Sequence, residues 1–177
     1  SGVSRKHPDL QSERILPGYD FVTGTAVQTD PNGHGTAIVG LLQGTSNPHY
    51  GVQSLLHEYP VNVLPLRTMN EKGITSISSI IRAINYAIQE NFDVINLSLV
   101  GSSPLHAAQH AIEKAVYHGI LVVASAGNDA LKGNPMNYPA AYPGVIAVGS
   151  TTPQGKRAPF SNIHSYVDFV APGTQLL

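Results

Sequence analysis

The sequence predicts an α/β fold, with an open, mostly parallel, twisted sheet and helices on both faces. Three observations carry that prediction. Residues 93–99 (DVINLSL), 120–124 and 145–148 are short, nearly unbroken apolar runs, the pattern of strands buried on both faces of a parallel sheet. Between such runs lie stretches with apolar residues at helical spacing. The links are short, and strand, helix, strand, helix, strand in that order implies right-handed crossovers.

Taken in order, residues 1–30 are turn-rich, with His7-Pro8-Asp9-Leu10 and Pro17-Gly18 breaking short apolar pieces such as residues 19–22. A loop with a strand or two is expected there. Asn32-Gly33-His34-Gly35-Thr36 leads into the apolar run Ala37-Ile38-Val39-Gly40-Leu41-Leu42, which predicts a helix from His34 to near Gly44, followed by a polar connection over residues 45–50. Residues 61–66 predict a strand. Residues 73–91 predict a helix in which Ile77, Ile80, Ile81, Ile84 and Ile88 form one stripe, with Thr75 or Ser76 as N-cap and Asn91 as the left-handed residue that ends it. Residues 104–118 predict the next helix, with Leu105, Ala108, Ile112, Ala115 and Val116 on one side and Gly119 at its C-terminus. A last strand is expected over residues 166–170. No internal repeat or low-complexity tract interrupts the pattern.

Composition narrows the class. With 177 residues and 42% hydrophobic content the chain suits one globular domain with a real core. Ten basic and eleven acidic side chains leave a net charge of −1, with no basic stripe to attract nucleic acid or an acidic membrane surface. Charged residues make up only 12%, while glycine numbers 17 and proline 13, so the surface is neutral and rich in turns. The absence of cysteine excludes disulfides, thiolate metal sites and a cysteine nucleophile. No stretch approaches the roughly 20 apolar residues of a membrane span. The start, Ser1-Gly2-Val3, has neither an initiator Met nor a signal peptide, and reads as a chain cut at its front.

Ligands of open parallel sheets bind beyond the carboxyl ends of the strands. Three segments qualify: Ser98-Leu99-Val100-Gly101, Ser125-Ala126-Gly127-Asn128-Asp129 and the loop around Pro159-Phe160-Ser161-Asn162. An asparagine after a glycine at a strand end can aim its amide into a cleft and donate to an oxyanion without adding charge. His34, flanked by glycines at a helix N-terminus, reads as a general base with one face open to substrate. These readings require the imidazole and the carboxamide to serve one acyl-transfer centre.

In this order the segments resemble the subtilases, the subtilisin-like serine endopeptidases, over nearly the whole chain. Gly2-Val3 and His7-Pro8-Asp9-Leu10 look like the stretch just after the family's catalytic aspartate, and Gly33-His34-Gly35-Thr36 like its histidine motif. Residues 94–99 look like the strand that pairs with bound peptide, and residues 122–128 like the strand and oxyanion-hole asparagine. Residues 138–143 with 145–149 are similar to the segment after that asparagine, and Phe160-Ser161-Asn162 through residues 170–173 to the run leading to the nucleophile.

The resemblance implies roles. His34 would take the proton from a serine hydroxyl and return it to the leaving amine; Asn128 would stabilise the oxyanion, a donor whose loss typically costs about 10²–10³ in turnover. Ser98, Leu99 and Val100 would bind an extended polypeptide through their main chain, and Gly127 would help line the primary specificity pocket. Val100 stands where the family more often has glycine, and Ala37 where many members have a second histidine. An extended polypeptide substrate and a propeptide inhibitor are the implied partners, and the implied location is extracellular or periplasmic. The catalytic aspartate would lie before Ser1 and the nucleophile beyond Leu177, so the domain would be incomplete at both ends and the polypeptide inactive alone. A core helix packed in the family would then be missing, leaving apolar faces uncovered. Gly44-Thr45-Ser46 copies the nucleophile tripeptide in the wrong part of the order and is read as a decoy.

Two other readings compete: a natural pseudoenzyme that keeps the groove and works by binding, and a doubly wound nucleotide-binding domain. The second lacks both G-x-G-x-x-G after a strand and G-x-x-x-x-G-K-[ST]. His106 and His110 are spaced i, i+4 but lack the glutamate of H-E-x-x-H, so no metal is assigned. Asp9 is similar to a carboxylate that ligates calcium in some subtilases; with residues 51–58 (GVQSLLHE) replacing the usual shorter connection, calcium is at most a weak expectation, and no cofactor is assigned. Arg5-Lys6 and Lys156-Arg157 read as surface charges.

Overall fold

A computed structural model describes residues 1–27, 29–45 and 52–176. The backbone forms two compact units, Ser1–Ala83 and Ile84–Leu176, each with its own sheet.

In the first unit, β1 (Gly18–Asp20) pairs antiparallel with β2 (Thr25–Val27) and parallel with β3 (Leu66–Arg67). The strand expected over residues 61–66 shrinks to β3 plus an isolated bridge between Ile15 and Val63. Pro65 helps explain why, having no N–H to give a ladder: Val63 donates to Arg14 at 2.9 Å and accepts from Leu16 at 2.8 Å, the Pro65 carbonyl only accepts, from Tyr19 at 3.1 Å, and the Val61 N–H turns back onto Tyr59 at 2.8 Å. Helix α1 spans His34–Gln43 with Gly44 as its C-cap, as expected. Val3, Leu10, Ile15 and Val39 form its buried apolar cluster, with Val63 packed against it. Asp20 ties β1 to β3: it accepts from Arg67 at 2.7 Å and from the N–H groups of Val22 and Thr23. Burial pushes its carboxyl up, but the Thr23 and Val22 hydrogen bonds and the Arg67 charge outweigh that and hold it below its ordinary value.

Helix α2 (Ile77–Gln89) runs through the boundary between the units and buries Ile80, Ile84 and Ile88 on the expected stripe, while Ile77 at its start is exposed. Ser76 caps it by accepting from the Ser79 N–H at 3.1 Å, and Asn91 takes the left-handed conformation (φ 54).

In the second unit, β4 (Val94–Leu97), β5 (Leu121–Ser125), β6 (Val145–Thr151) and β7 (Phe169–Pro172) form a fully parallel sheet in the order β4-β5-β6-β7. Helix α3 (His106–Tyr117) joins β4 to β5. Its buried face is nearly all alanine, Ala108, Ala111 and Ala115 around Ile112. Leu105 and Val116, expected on that face, are exposed; the Tyr142 hydroxyl instead fixes the entry, accepting from the Leu105 N–H at 2.8 Å.

Two expectations about this sheet are corrected. Residues 93–99, expected as a central strand buried on both faces, give β4 at the margin of its sheet with alternate burial: Ile95 and Leu97 are buried, while Val94 is 52% exposed. In β5, Val122 and Ala124 are buried but Leu121 is 55% exposed, so one face is open as the resemblance implied. The last strand begins at Phe169 rather than residue 166, because Val167 closes a turn onto His164 and Asp168 brackets Ala147, accepting its N–H and donating to its carbonyl.

Candidate active site

In the first unit, His34 is the first residue of α1 and is exposed; its imidazole makes no hydrogen bond among the described residues. Its place is set through the backbone around it. Gly33, in the left-handed conformation (φ 89), supplies no cap, and Asp30 does so from three residues upstream. The Asp30 carboxylate accepts from the N–H of Gly33 at 2.9 Å, the N–H of Thr36 at 2.8 Å and the Thr36 hydroxyl at 2.7 Å. Burial pushes the carboxyl up, yet the Thr36, Gly33 and Ser1 hydrogen bonds more than compensate, and it is held below its ordinary value. The negative charge at the helix N-terminus also suits the macrodipole. Thr36 passes the restraint on, its hydroxyl accepting from the Ser4 N–H at 2.9 Å. Gly35 lets the helix start touch the N-terminal segment, since a Cβ there would collide with the Gly2 carbonyl oxygen.

Asp30 was not singled out in the sequence. An acidic residue just ahead of a G-H-G-T helix start is an N-terminal signal, but here the acceptor lies outside the usual cap position.

The other candidates fall in the second unit. Ser98, Leu99 and Val100 follow β4, and no backbone hydrogen bond engages them within the described residues; the chain is recaptured at Gly101, which pairs with Tyr138 in both directions at 2.7 and 2.8 Å. An unpaired segment at a sheet margin can add an extended peptide as a further strand. The Asn96 amide donates to the Ser98 hydroxyl at 2.9 Å, and the Val100 side chain is exposed.

Asn128 lies in the turn after β5, on the neighbouring strand of the same sheet. Its side chain is exposed and unpartnered among the described residues, so both donors of its amide are free. Gly127 before it is buried with φ 107, and a Cβ there would meet the Asn137 amide nitrogen. Asn137 is itself buried, and that nitrogen has no hydrogen-bond partner among the described residues.

The decoy Ser46 lies outside the described residues. A concavity of about 410 Å³ in the first unit, lined by Phe21, Thr68, Ser76 and Arg82 among others, contains none of the expected site residues. Asp9 is 2% exposed and spends its oxygens on protein donors: the Thr45 hydroxyl at 2.7 Å, the Thr45 N–H at 3.2 Å and the Val52 N–H at 3.3 Å. Calcium asks for six to eight oxygen ligands. Three of the Asp9 acceptor places are thus taken by protein donors, and the described residues contain no group of three or more His, Asp or Glu side chains able to hold a metal. No described helix is long and apolar enough to cross a membrane.

Comparison with known proteins places these features in a family. The model of the subtilase family matches residues 1–177. Subtilisin DY of Bacillus licheniformis is 36% identical, covering 99% of the chain and 63% of the relative. The minor extracellular protease Epr of Bacillus subtilis is 35% identical, covering 99% of the chain but 26% of its own length, so the chain spans less than two thirds of both. The crystal structure of a cold-adapted subtilisin-like serine proteinase superposes with a TM-score of 0.84 at 33% identity, covering 99% of this chain and 61% of that one. With the family model matched end to end, and with the α/β architecture shared, the chain belongs to the subtilase family.

Proposed function

We propose that this chain is the part of a subtilisin-like serine endopeptidase domain that supplies the general base and the oxyanion donor for peptide-bond hydrolysis. His34 takes the proton of a serine hydroxyl as it attacks the scissile carbonyl, then delivers it to the leaving amine. Asn128 donates to the oxygen that becomes negative in the tetrahedral intermediate. Ser98, Leu99 and Val100 hold the substrate extended through main-chain bonds, and Gly127 contributes to the wall beside the side chain that precedes the cleaved bond. A propeptide inhibitor would use the same margin. Calcium has no part in this reading.

The observation that supports it best is the pairing, on adjacent strands of one sheet, of an unbonded main-chain segment after β4 with a free carboxamide after β5. A peptide laid along the first would bring its carbonyls toward the second. On this reading the nucleophile and its aspartate are contributed by sequence outside these 177 residues, and the chain alone does not turn over peptides. The test compares the complete protein with this chain using a serine-directed fluorophosphonate and a peptide p-nitroanilide. Labelling and hydrolysis by the complete protein alone are expected. Labelling of Ser46 or any other serine in the isolated chain would overturn the assignment, and peptide binding without labelling in the complete protein would mark a pseudoenzyme.

A further inference from the structure

The turn that presents Asn128 is gripped by one residue from far along the sequence, through its backbone N–H and its side chain. Asn162 is 2% exposed. Its own N–H donates to the Gly127 carbonyl at 3.1 Å, its Oδ1 accepts from the Asp129 N–H at 2.7 Å, and its Nδ2 donates to the Pro135 carbonyl at 2.7 Å. The Gly127 carbonyl belongs to the peptide plane before the Asn128 Cα, and the Asp129 N–H to the plane after it. Peptide units are rigid, so anchoring both planes sets φ and ψ between them and thereby the direction of the Asn128 Cα–Cβ bond. Asn162 leaves the Asn128 carboxamide itself untouched.

The grip is anchored in turn to the sheet. Ser161, beside Asn162, accepts from the Ser150 N–H of β6 at 2.9 Å. The Arg157 guanidinium gathers the carbonyls of Ala158, Pro159 and Ser161, at 3.0, 3.2 and 2.6 Å, drawing the segment into a knot. Phe160 accepts from the Ala130 N–H at 3.0 Å, a second tie to the far side of the same turn. Of the three segments that the sequence places beyond strand ends, the one around Asn162 thus touches the backbone that carries the oxyanion donor.

We propose that Asn162 is a positioning residue for oxyanion stabilisation: by bonding both peptide units that flank Asn128, it holds the donating amide on target before the intermediate forms. The proposal rests on the reading of Asn128 as the oxyanion donor. Displacing a catalytic group by about an ångström can cost on the order of 100-fold in rate, so a positioning asparagine has ample room to act.

The experiment measures kcat and KM separately in the complete protease of the preceding proposal, together with the affinity of a peptide boronic acid, which mimics the tetrahedral intermediate, and of an unreactive product peptide. Asn162→Ala lowers kcat by about 10- to 100-fold with KM within about threefold. It weakens the boronic acid by a similar factor and the product peptide hardly at all. Asn162→Asp keeps the oxygen facing the Asp129 N–H and recovers most of the lost kcat. Asn134→Ala breaks the two bonds to Ile163, next along the chain, and lowers the melting temperature without changing kcat. A normal kcat in Asn162→Ala, or an equal loss in Asn134→Ala, would overturn the proposal while Asn128→Ala remains slow. Should Asn162→Ala not fold, Asn162→Asp decides: kcat within about fivefold of wild type supports the role, and a kcat as low as that of Asn128→Ala refutes it. Wild-type kcat in Asn128→Ala would instead sink the underlying reading, and this proposal with it.

Discussion

His34 and Asn128 are each presented by a short rigid loop, but the first loop is tied to a carboxylate and the second to a carboxamide. Asp30 serves the start of α1 through a negative charge that accepts from Gly33 and Thr36; Asn162 serves the turn after β5 through three bonds that involve no titratable group. The same mechanical problem, holding a loop so that one exposed side chain stays on target, has an acid-sensitive solution in one unit and a charge-neutral solution in the other. A carboxylate is the stronger acceptor at a helix N-terminus, where the macrodipole favours it. At the β5 turn the neighbouring groups include both a donor, the Asp129 N–H, and an acceptor, the Pro135 carbonyl, which an amide can serve together and an ionised carboxylate cannot.

The largest effect that separates the two loops is catalytic. Replacing His34 with alanine in the complete protease should lower kcat by about 10⁶, the size known for the histidine of a subtilisin, a member of this family. Asn128→Ala should lower it by about 10²–10³, again a magnitude established on a subtilisin, with KM little changed. Steady-state kinetics on a peptide p-nitroanilide check both, and the reverse ranking would break the assignment of roles.

A smaller effect concerns acid. The Asp30 carboxyl is held below its ordinary value of 3.8, so the unfolded chain takes up a proton before the folded one does. Its contribution to stability is therefore complete above that ordinary value and is lost as the pH falls through the lower folded-state one. Asp30→Asn should cost about 1 kcal/mol at neutral pH, in the range of a lost helix cap. It should also flatten the pH dependence of the urea midpoint below about pH 4, whereas Asn162→Asp should leave the His34 loop's acid response unchanged. An unaltered slope in Asp30→Asn would show that the cap is not where the acid sensitivity resides.

The last prediction has the opposite sign. Gln43, at the far end of α1, is 0% exposed, and neither its amide oxygen nor its nitrogen has a hydrogen-bond partner among the described residues. An unmet buried polar group costs about 1–3 kcal/mol, so Gln43→Met, of similar volume, should raise stability by about that much in urea denaturation without affecting the His34 end of the helix. Destabilisation would mean that the amide is satisfied in solution.

The helices were legible in the sequence because their signals are local: the isoleucine stripe of α2, its Ser76 cap and Asn91 end, and the glycines around α1 all read directly. The open sheet face was legible only through the resemblance, because apolar strand runs look alike whether one face or both are covered, as Val94 and Leu121 show. Residues 61–66 misled because the run reads as β-forming side chains, while Pro65 lacks an N–H and the Val61 N–H is spent on Tyr59. At the site, the groups proposed to touch substrate were named by motif, while Asp30 and Asn162 were not named for their roles. Their contribution depends on which N–H groups the fold brings within 3 Å, and periodicity holds no such information.

Gly127 has a consequence for how this protein can vary. With φ at 107 and the Asn137 amide nitrogen where a methyl would go, the position is closed on both conformational and spatial grounds. Val100, one strand over, has an exposed side chain and an unbonded main chain. In a saturation library, selection would erase nearly every change at the first position and tolerate many at the second. If these residues line the substrate site as proposed, diversification of what it accepts should run through Val100, with Gly127 kept fixed.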